Sequence, residues 1–278
     1  MSNRVKYLGQ SHRGLSPRIA ELAKVRDDQD AGNAAYYFND FTEAPHVISN
    51  SVALTSVGYG KAYTDDGVVI SGTDAVNNTA QVLGSIEVSG NDADNDEGQL
   101  KFGSDNWLQI DSANAGKVMF EARFKTASIA NNGCSIFLGL SGWQPAANGL
   151  ADNTGAFAAA EAYIGFRTLA ADGDILEFVF QAASQTVNTV LDAQTLVADT
   201  WYKVGFVYDP NTVDKNKRIK IFVDNVENAT GVTQTEIDAA TFPEAEALSP
   251  LLLTKVGAAA EVKVELDWIF ACQYCSNG

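Results

Sequence analysis

The chain has 278 residues, 46% hydrophobic and 19% charged, with a net charge of −16 at neutral pH. That length and apolar content support one large β domain or two small domains, and they exclude global disorder. No apolar run approaches the about 18 residues of a membrane-spanning helix, the N-terminus lacks the apolar stretch of a secretory signal, and the acidic balance suits phosphate backbones poorly. The sequence therefore predicts no membrane span, no export by that route and no nucleic-acid partner.

Charge is unevenly spread. Arg4, Lys6, Arg13, Arg18, Lys24 and Arg26 lie in the first 26 residues against one acid, Glu21, so the body is more acidic than the whole. Such a basic arm suits an acidic partner surface or the chain's own acidic body. Residues 1–15 show no period. In SPRIAELAKVRDD, Ser16 suits a helix N-cap and Pro17 the first helical position, while Ile19, Leu22 and Ala23 share one face. A short helix is predicted over 17–26. So narrow an apolar stripe is marginal alone and needs something to pack against.

From Tyr36 onward short apolar runs recur, broken by Gly, Asn and Asp. The densest acidic stretch is NDADNDEG at 91–98, where Asp92, Asp94 and Asp96 occupy the first three ligand positions of a calcium loop. The required glycine falls one place late at Gly98, and the twelfth position is Gly103, so this is no EF-hand. A looser calcium loop and a solvated acidic turn both remain open; no other cofactor is predicted. KVMFEARFKT alternates with period two, setting Val118, Phe120, Ala122 and Phe124 against Glu121, Arg123 and Lys125. CSIFLGL at 134–140, apolar on both faces, reads as a central strand.

The loop at 141–157 is long for a compact sandwich, and such loops are often functional. It carries Trp143, an aromatic platform for a sugar or a subunit contact, with Gln144 and Asn148 as polar neighbours. AYIGFRTLAADGDILEFVFQAA reads as a hairpin turning at Asp172-Gly173, and WYKVGFVYD and RIKIFVDN as a paired set of strands. PEAEAL near 243–248 is read as one helical turn. EVKVELDWIF places Val262, Val264, Leu266, Trp268 and Phe270 on one face. Trp107, Trp201 and Trp268 read as core or sheet-face packing. Three cysteines, Cys134, Cys272 and Cys275, make no disulfide framework; Cys272 and Cys275 read as a reduced pair at a frayed end, short of the four ligands of a closed zinc site.

FEARFKT, then WYKVGFVYD…KRIKIFVDN, then VELDWIF near the end, resembles concanavalin A-like, laminin G-type jelly rolls over about residues 36–272. The resemblance implies an all-β, antiparallel two-sheet jelly-roll sandwich, here a body of residues 36–278 behind an arm of residues 1–35 with one short helix. The layout of basic arm before lectin-like body is similar to that of tailed-phage virion proteins. It implies an oligomeric capsid decoration or cement protein, made in the host cytoplasm and displayed on the virion exterior. Arg4, Lys6, Arg13, Arg18, Ile19 and Leu22 would then bind a capsid or other virion protein. The alternative is a lectin-like carbohydrate-binding module gripping surface glycans through Trp143, Gln144 and Asn148, with calcium at Asp92, Asp94 and Asp96.

A glycan-active enzyme is the third reading, and the residues argue against it. The glycosidases of this fold resemble one another in an E-x-D-x-x-E strand, whose nearest match here is Glu265-Leu-Asp267-Trp-Ile-Phe270, with Phe270 in the place of the last carboxylate. Glu265 and Asp267 then read as solvent-face charges beside Lys263. Tyr163, Arg167 and Gln181, on the predicted hairpin, match the residue types that lyases of this fold use, in a spacing that is not diagnostic. The expectation is that the chain is not an enzyme.

Overall fold

The computed structural model describes residues 34–41, 47–49, 55–57, 60–65, 68–71, 85–90, 93–103, 105–113, 116–131, 133–151, 156–158, 160–258 and 262–274. Residues 1–33 lie outside this set, and with them the predicted helix at 17–26 and the arm residues Arg4, Lys6, Arg13, Arg18, Ile19 and Leu22. The strands are β1 (Ala34–Asn39), β2 (Val47–Ser49), β3 (Thr55–Val57), β4 (Gly60–Asp65), β5 (Val68–Ser71), β6 (Ile86–Gly90), β7 (Glu97–Phe102), β8 (Leu108–Gln109) and β9 (Val118–Thr126). They continue as β10 (Cys134–Ser141), β11 (Tyr163–Leu169), β12 (Asp172–Gln181), β13 (Asn188–Thr195), β14 (Tyr202–Tyr208), β15 (Ile219–Val223), β16 (Val226–Glu227), β17 (Ala247–Val256) and β18 (Val262–Tyr274).

These strands form two antiparallel sheets. One runs β16-β15-β14-β9-β18-β6-β5-β2, with β1 also pairing β18; the other runs β13-β12-β11-β10-β17-β7-β4-β3, with β8 also pairing β17. The inner faces meet in one apolar core. Phe178 of the β10 sheet meets Phe206 of the β9 sheet edge-on at 5.5 Å, and Phe206 stacks on Phe120 at 5.7 Å. Each buried phenylalanine adds about 1.5–3 kcal/mol. The all-β jelly-roll sandwich expected from the sequence is thus the fold. Val118, Phe120, Ala122 and Phe124 enter the core as the alternation predicts, and β10 lies centrally in its sheet. The β14–β15 pair forms as expected, and Asp224 and Asn225 join β15 to β16 with φ of 47° and 70°, as a two-residue hairpin turn requires.

Three local expectations need correction. The β11–β12 hairpin turns two residues early: Leu169 pairs with Asp172, so Ala170 and Ala171 make the turn and Asp172-Gly173 begin β12. Residues 243–248 hold no helix. The helix α1 is Gln234–Ile237, started by a capping box in which Thr233 and Glu236 bond reciprocally. The third correction is in β18, whose register against β9 shifts between Leu266 and Trp268. Such a bulge reverses the alternation beyond it. Val262, Val264 and Leu266 face the core, but so then do Ile269 and Ala271, while Trp268, Phe270 and Cys272 turn to the outer face.

The bulge also repositions Asp267. Asp267 is 3% exposed, and Arg123 Nη1 donates to its Oδ2 at 2.5 Å. It is therefore a buried ion-pair member, not the solvent-face charge expected. Glu265, ahead of the bulge, stays part-exposed on the same face as Lys263, as expected, and pairs with Lys125 at 3.0 Å. Cys272 is buried inside β18 rather than frayed; Cys275 lies outside the described residues.

Candidate functional site

Every second side chain of the central strands points out of the β10 sheet, and the antiparallel register gathers these into rows. Ser249, Ser141, Tyr163 and Gln181 are direct neighbours across β17, β10, β11 and β12. The next row is Lys101, Leu251, Gly139, Gly165 and Val179, and beyond it come Gln99, Leu253, Phe137, Arg167 and Glu177. Gly139 and Gly165 face each other so closely that a Cβ on Gly165 would lie 2.6 Å from Gly139 Cα.

Much of this face is covered by the loop after β10. Trp143 Nε1 donates to Gln99 Oε1 at 2.9 Å, the Ala146 N–H donates to the same oxygen at 3.1 Å, and Gln99 Nε2 returns a bond to Ala146 O at 2.6 Å. Farther along, the Asn148 N–H donates to Glu97 Oε1 at 2.8 Å and Lys255 Nζ to Asn148 Oδ1 at 3.1 Å. Phe157 stacks on Tyr163 with centroids 4.1 Å apart. Leu150 and Phe157 thereby seal Phe137, Tyr163, Val179, Leu251 and Leu253 into an apolar cluster on the outer face.

Among the sugar residues expected from the sequence, Trp143 is half-buried with its N–H spent on Gln99, while Gln144 and Asn148 are exposed on the same loop. Tyr163, Arg167 and Gln181 do share the outer face, Tyr163 and Gln181 as register partners. Burial pushes the Tyr163 phenol far above its ordinary value, the nearby Glu161 charge adding to the effect. Arg167 is engaged by Glu177 at 3.0 Å and Thr189 at 3.2 Å. In the acidic stretch, Asp92 lies outside the described residues, Asp94 is exposed, and Asp96 is buried with its Oδ2 accepting from the Ala93 N–H at 3.1 Å. No cluster of three metal-ligating side chains occurs among the described residues.

Beside the Ser249–Gln181 row, whose side chains are all buried, stands a group that sequence reasoning missed. Glu161 precedes β11 and is part-exposed, and its carboxylate takes no hydrogen bond from the described residues. It lies over Gly142, where a Cβ would come 2.8 Å from Glu161 Oε2. Asn106 organises the floor: its Nδ2 donates to Gly142 O at 3.2 Å, and its Oδ1 accepts from Lys101 Nζ at 2.5 Å. Lys101 is 0% exposed, a cation held inside the protein whose charge acts on Glu161. Partial burial raises the Glu161 carboxyl above its ordinary value, Lys101 opposes the shift, and Glu246 adds to it. A part-buried acid with a raised pKa beside a buried cation makes this a candidate functional site. Its one signal in the sequence was an isolated charge in the apolar run AFAAAEAYIGF.

This architecture is found in solved proteins. The fold is that of the concanavalin A-like jelly rolls. A protein of unknown function from Shewanella oneidensis MR-1 matches at TM-score 0.50 and 16% identity, over 95% of this chain and 97% of that one. An endo-1,3-β-glucanase from Streptomyces sioyaensis matches at TM-score 0.50 and 13% identity, over 87% and 96%. Peanut lectin matches more distantly, at TM-score 0.46 and 14% identity, over 86% and 97%. No family model matches the chain, and no curated protein does.

The glucanase overturns the expectation that this chain is not an enzyme: the same two-sheet fold carries hydrolysis there, so architecture gives no ground for excluding catalysis. The virion setting expected from the layout finds no support in these likenesses.

Proposed function

We propose that the protein recognises carbohydrate chains at the Glu161 end of the outer face of the β10 sheet. The carrying observation is the Glu161 carboxylate, part-exposed and without a hydrogen-bond donor among the described residues, lying over Gly142 and under the charge of the buried Lys101. A sugar offers vicinal hydroxyls that donate to such a carboxylate, and apolar C–H faces that rest on a half-exposed indole such as Trp143. The Asn106 network keeps the floor rigid, which limits the ordering cost of binding.

One observation favours a second reading at the same place, glycan cleavage. The raised carboxyl of Glu161 suits a general acid, and the charge of a second carboxylate, Glu246, acts on it.

Affinity electrophoresis through gels loaded with neutral β-glucans, uronans or chitin-type polymers tests recognition, and reducing-end release from the same polymers tests cleavage. Retardation by at least one polymer is expected, weakened about tenfold in Glu161→Gln, a loss of about 1.4 kcal/mol. Migration unaffected by every polymer, or equal retardation of the variant, overturns the proposal.

A further inference from the structure

One more row crosses the outer face of the β10 sheet, beyond Gln99, Leu253 and Phe137. Glu97 on β7 and Lys255 on β17 are register partners there, each 2% exposed. Lys255 Nζ lies 3.7 Å from Glu97 Oε2 and donates to Asn148 Oδ1 at 3.1 Å. The Asn148 N–H in turn donates to Glu97 Oε1 at 2.8 Å. An amine, a carboxamide and a carboxylate thus hold one another pairwise. Asn148 is held further by a left-handed backbone, with φ of 63°, which asparagine accepts more readily than most residues.

We infer that Lys255 and Asn148 become joined by an amide bond between their side chains, with Glu97 carrying the protons. The fold already holds the nucleophile against the electrophile, which replaces a bimolecular encounter. A lysine amine attacks a carbonyl carbon once it has lost a proton, and Glu97 is the carboxylate placed to take it. Taking two charges out of water is costly, and passing that proton across leaves both groups neutral.

The step balances within the three residues. Lys255 Nζ gives one proton to Glu97 Oε2 and, as a neutral amine, attacks Asn148 Cγ. Glu97 passes that proton to Asn148 Nδ2 and takes a second from Nζ. The Cγ–Nδ2 bond breaks, the Cγ–Nζ bond stays, ammonia leaves, and Glu97 returns its proton to water. Nothing is oxidised or reduced. The product ties the loop after β10 to β17 across about a hundred residues of chain, which restrains the unfolded state as a disulfide does.

Tryptic digestion of the unfolded full-length chain, read by mass spectrometry, tests the bond. Asn148 falls in the peptide 126–167, and an unmodified Lys255 ends the peptide 221–255. Once acylated, Lys255 resists the cut, so the linked product is 126–167 joined to 221–263, lighter than the two together by ammonia, about 17 Da. The native chain is expected to give this product. Asn148 is exposed, so Asn148→Ala should keep the fold and give none of it. Glu97→Gln keeps an oxygen for the Asn148 N–H and should give about tenfold less. Peptide 221–255 as the sole form from the native chain overturns the proposal. So does the same mass loss confined to 126–167, which would make the Gly149 nitrogen the attacker. Linkage as complete in Glu97→Gln as in the native chain overturns the role given to Glu97.

Discussion

Trp143 Nε1 and Gln99 Oε1 lie 2.9 Å apart, and this bond fixes the loop after β10 against the outer face of its sheet. Gln99 is 1% exposed and holds the loop by three hydrogen bonds, to the indole and to both backbone groups of Ala146. Gln99→Ala strands those groups, each costing about 1 kcal/mol or more when left unpaired. The variant should lose about 3 kcal/mol in chemical denaturation. A loss under about 0.5 kcal/mol, the scatter of an ordinary surface substitution, would mean that the bonds do not hold the loop.

The raised carboxyl of Glu161 gives a pH dependence of known sign. The folded state holds its proton to higher pH than the unfolded chain, whose carboxyl titrates near 4.5. The associated stability is present below that value and is lost as pH rises through the folded pKa. Glu161→Gln removes the titration. The variant should therefore gain stability relative to the parent between pH 4 and pH 7, read by denaturation at both. A difference that stays constant with pH contradicts the assignment.

Asp267 is the bulge residue of β18, and its carboxylate holds Arg123, whose guanidinium carbon stands 4.6 Å from the Trp201 ring centroid. Asp267→Ala removes the partner of a largely buried cation. With Arg123 part-exposed, the cost should be about 2 kcal/mol, below the range for a fully buried pair. Equilibrium unfolding measures it, and an unchanged midpoint would show that the pair contributes nothing.

The sandwich was legible because β9 alternates cleanly and WYKVGFVYD with RIKIFVDN leaves little choice but a pair. The bulge was not, since residues 266–272 are apolar on both sides of Asp267 and fit either parity. The helix α1 was readable in TQTE, whose Thr233 and Glu236 have capping-box spacing; the acidic PEAEAL drew the prediction instead. Glu161 stayed hidden for a deeper reason. Its environment is made by Gly142, Lys101 and Asn106, which only the folded sheet brings to it. The loop position of Trp143 is legible in the sequence, but its pairing with Gln99 depends on a β7 strand far off in sequence.

The measurement that bears most directly on carbohydrate recognition is a glycan array probed with the full-length chain, Glu161→Gln, and Lys263→Ala on the opposite sheet. Binding by the parent and by Lys263→Ala, lost in Glu161→Gln, is the predicted result. No glycan bound by the parent, or equal binding by Glu161→Gln, would contradict the account.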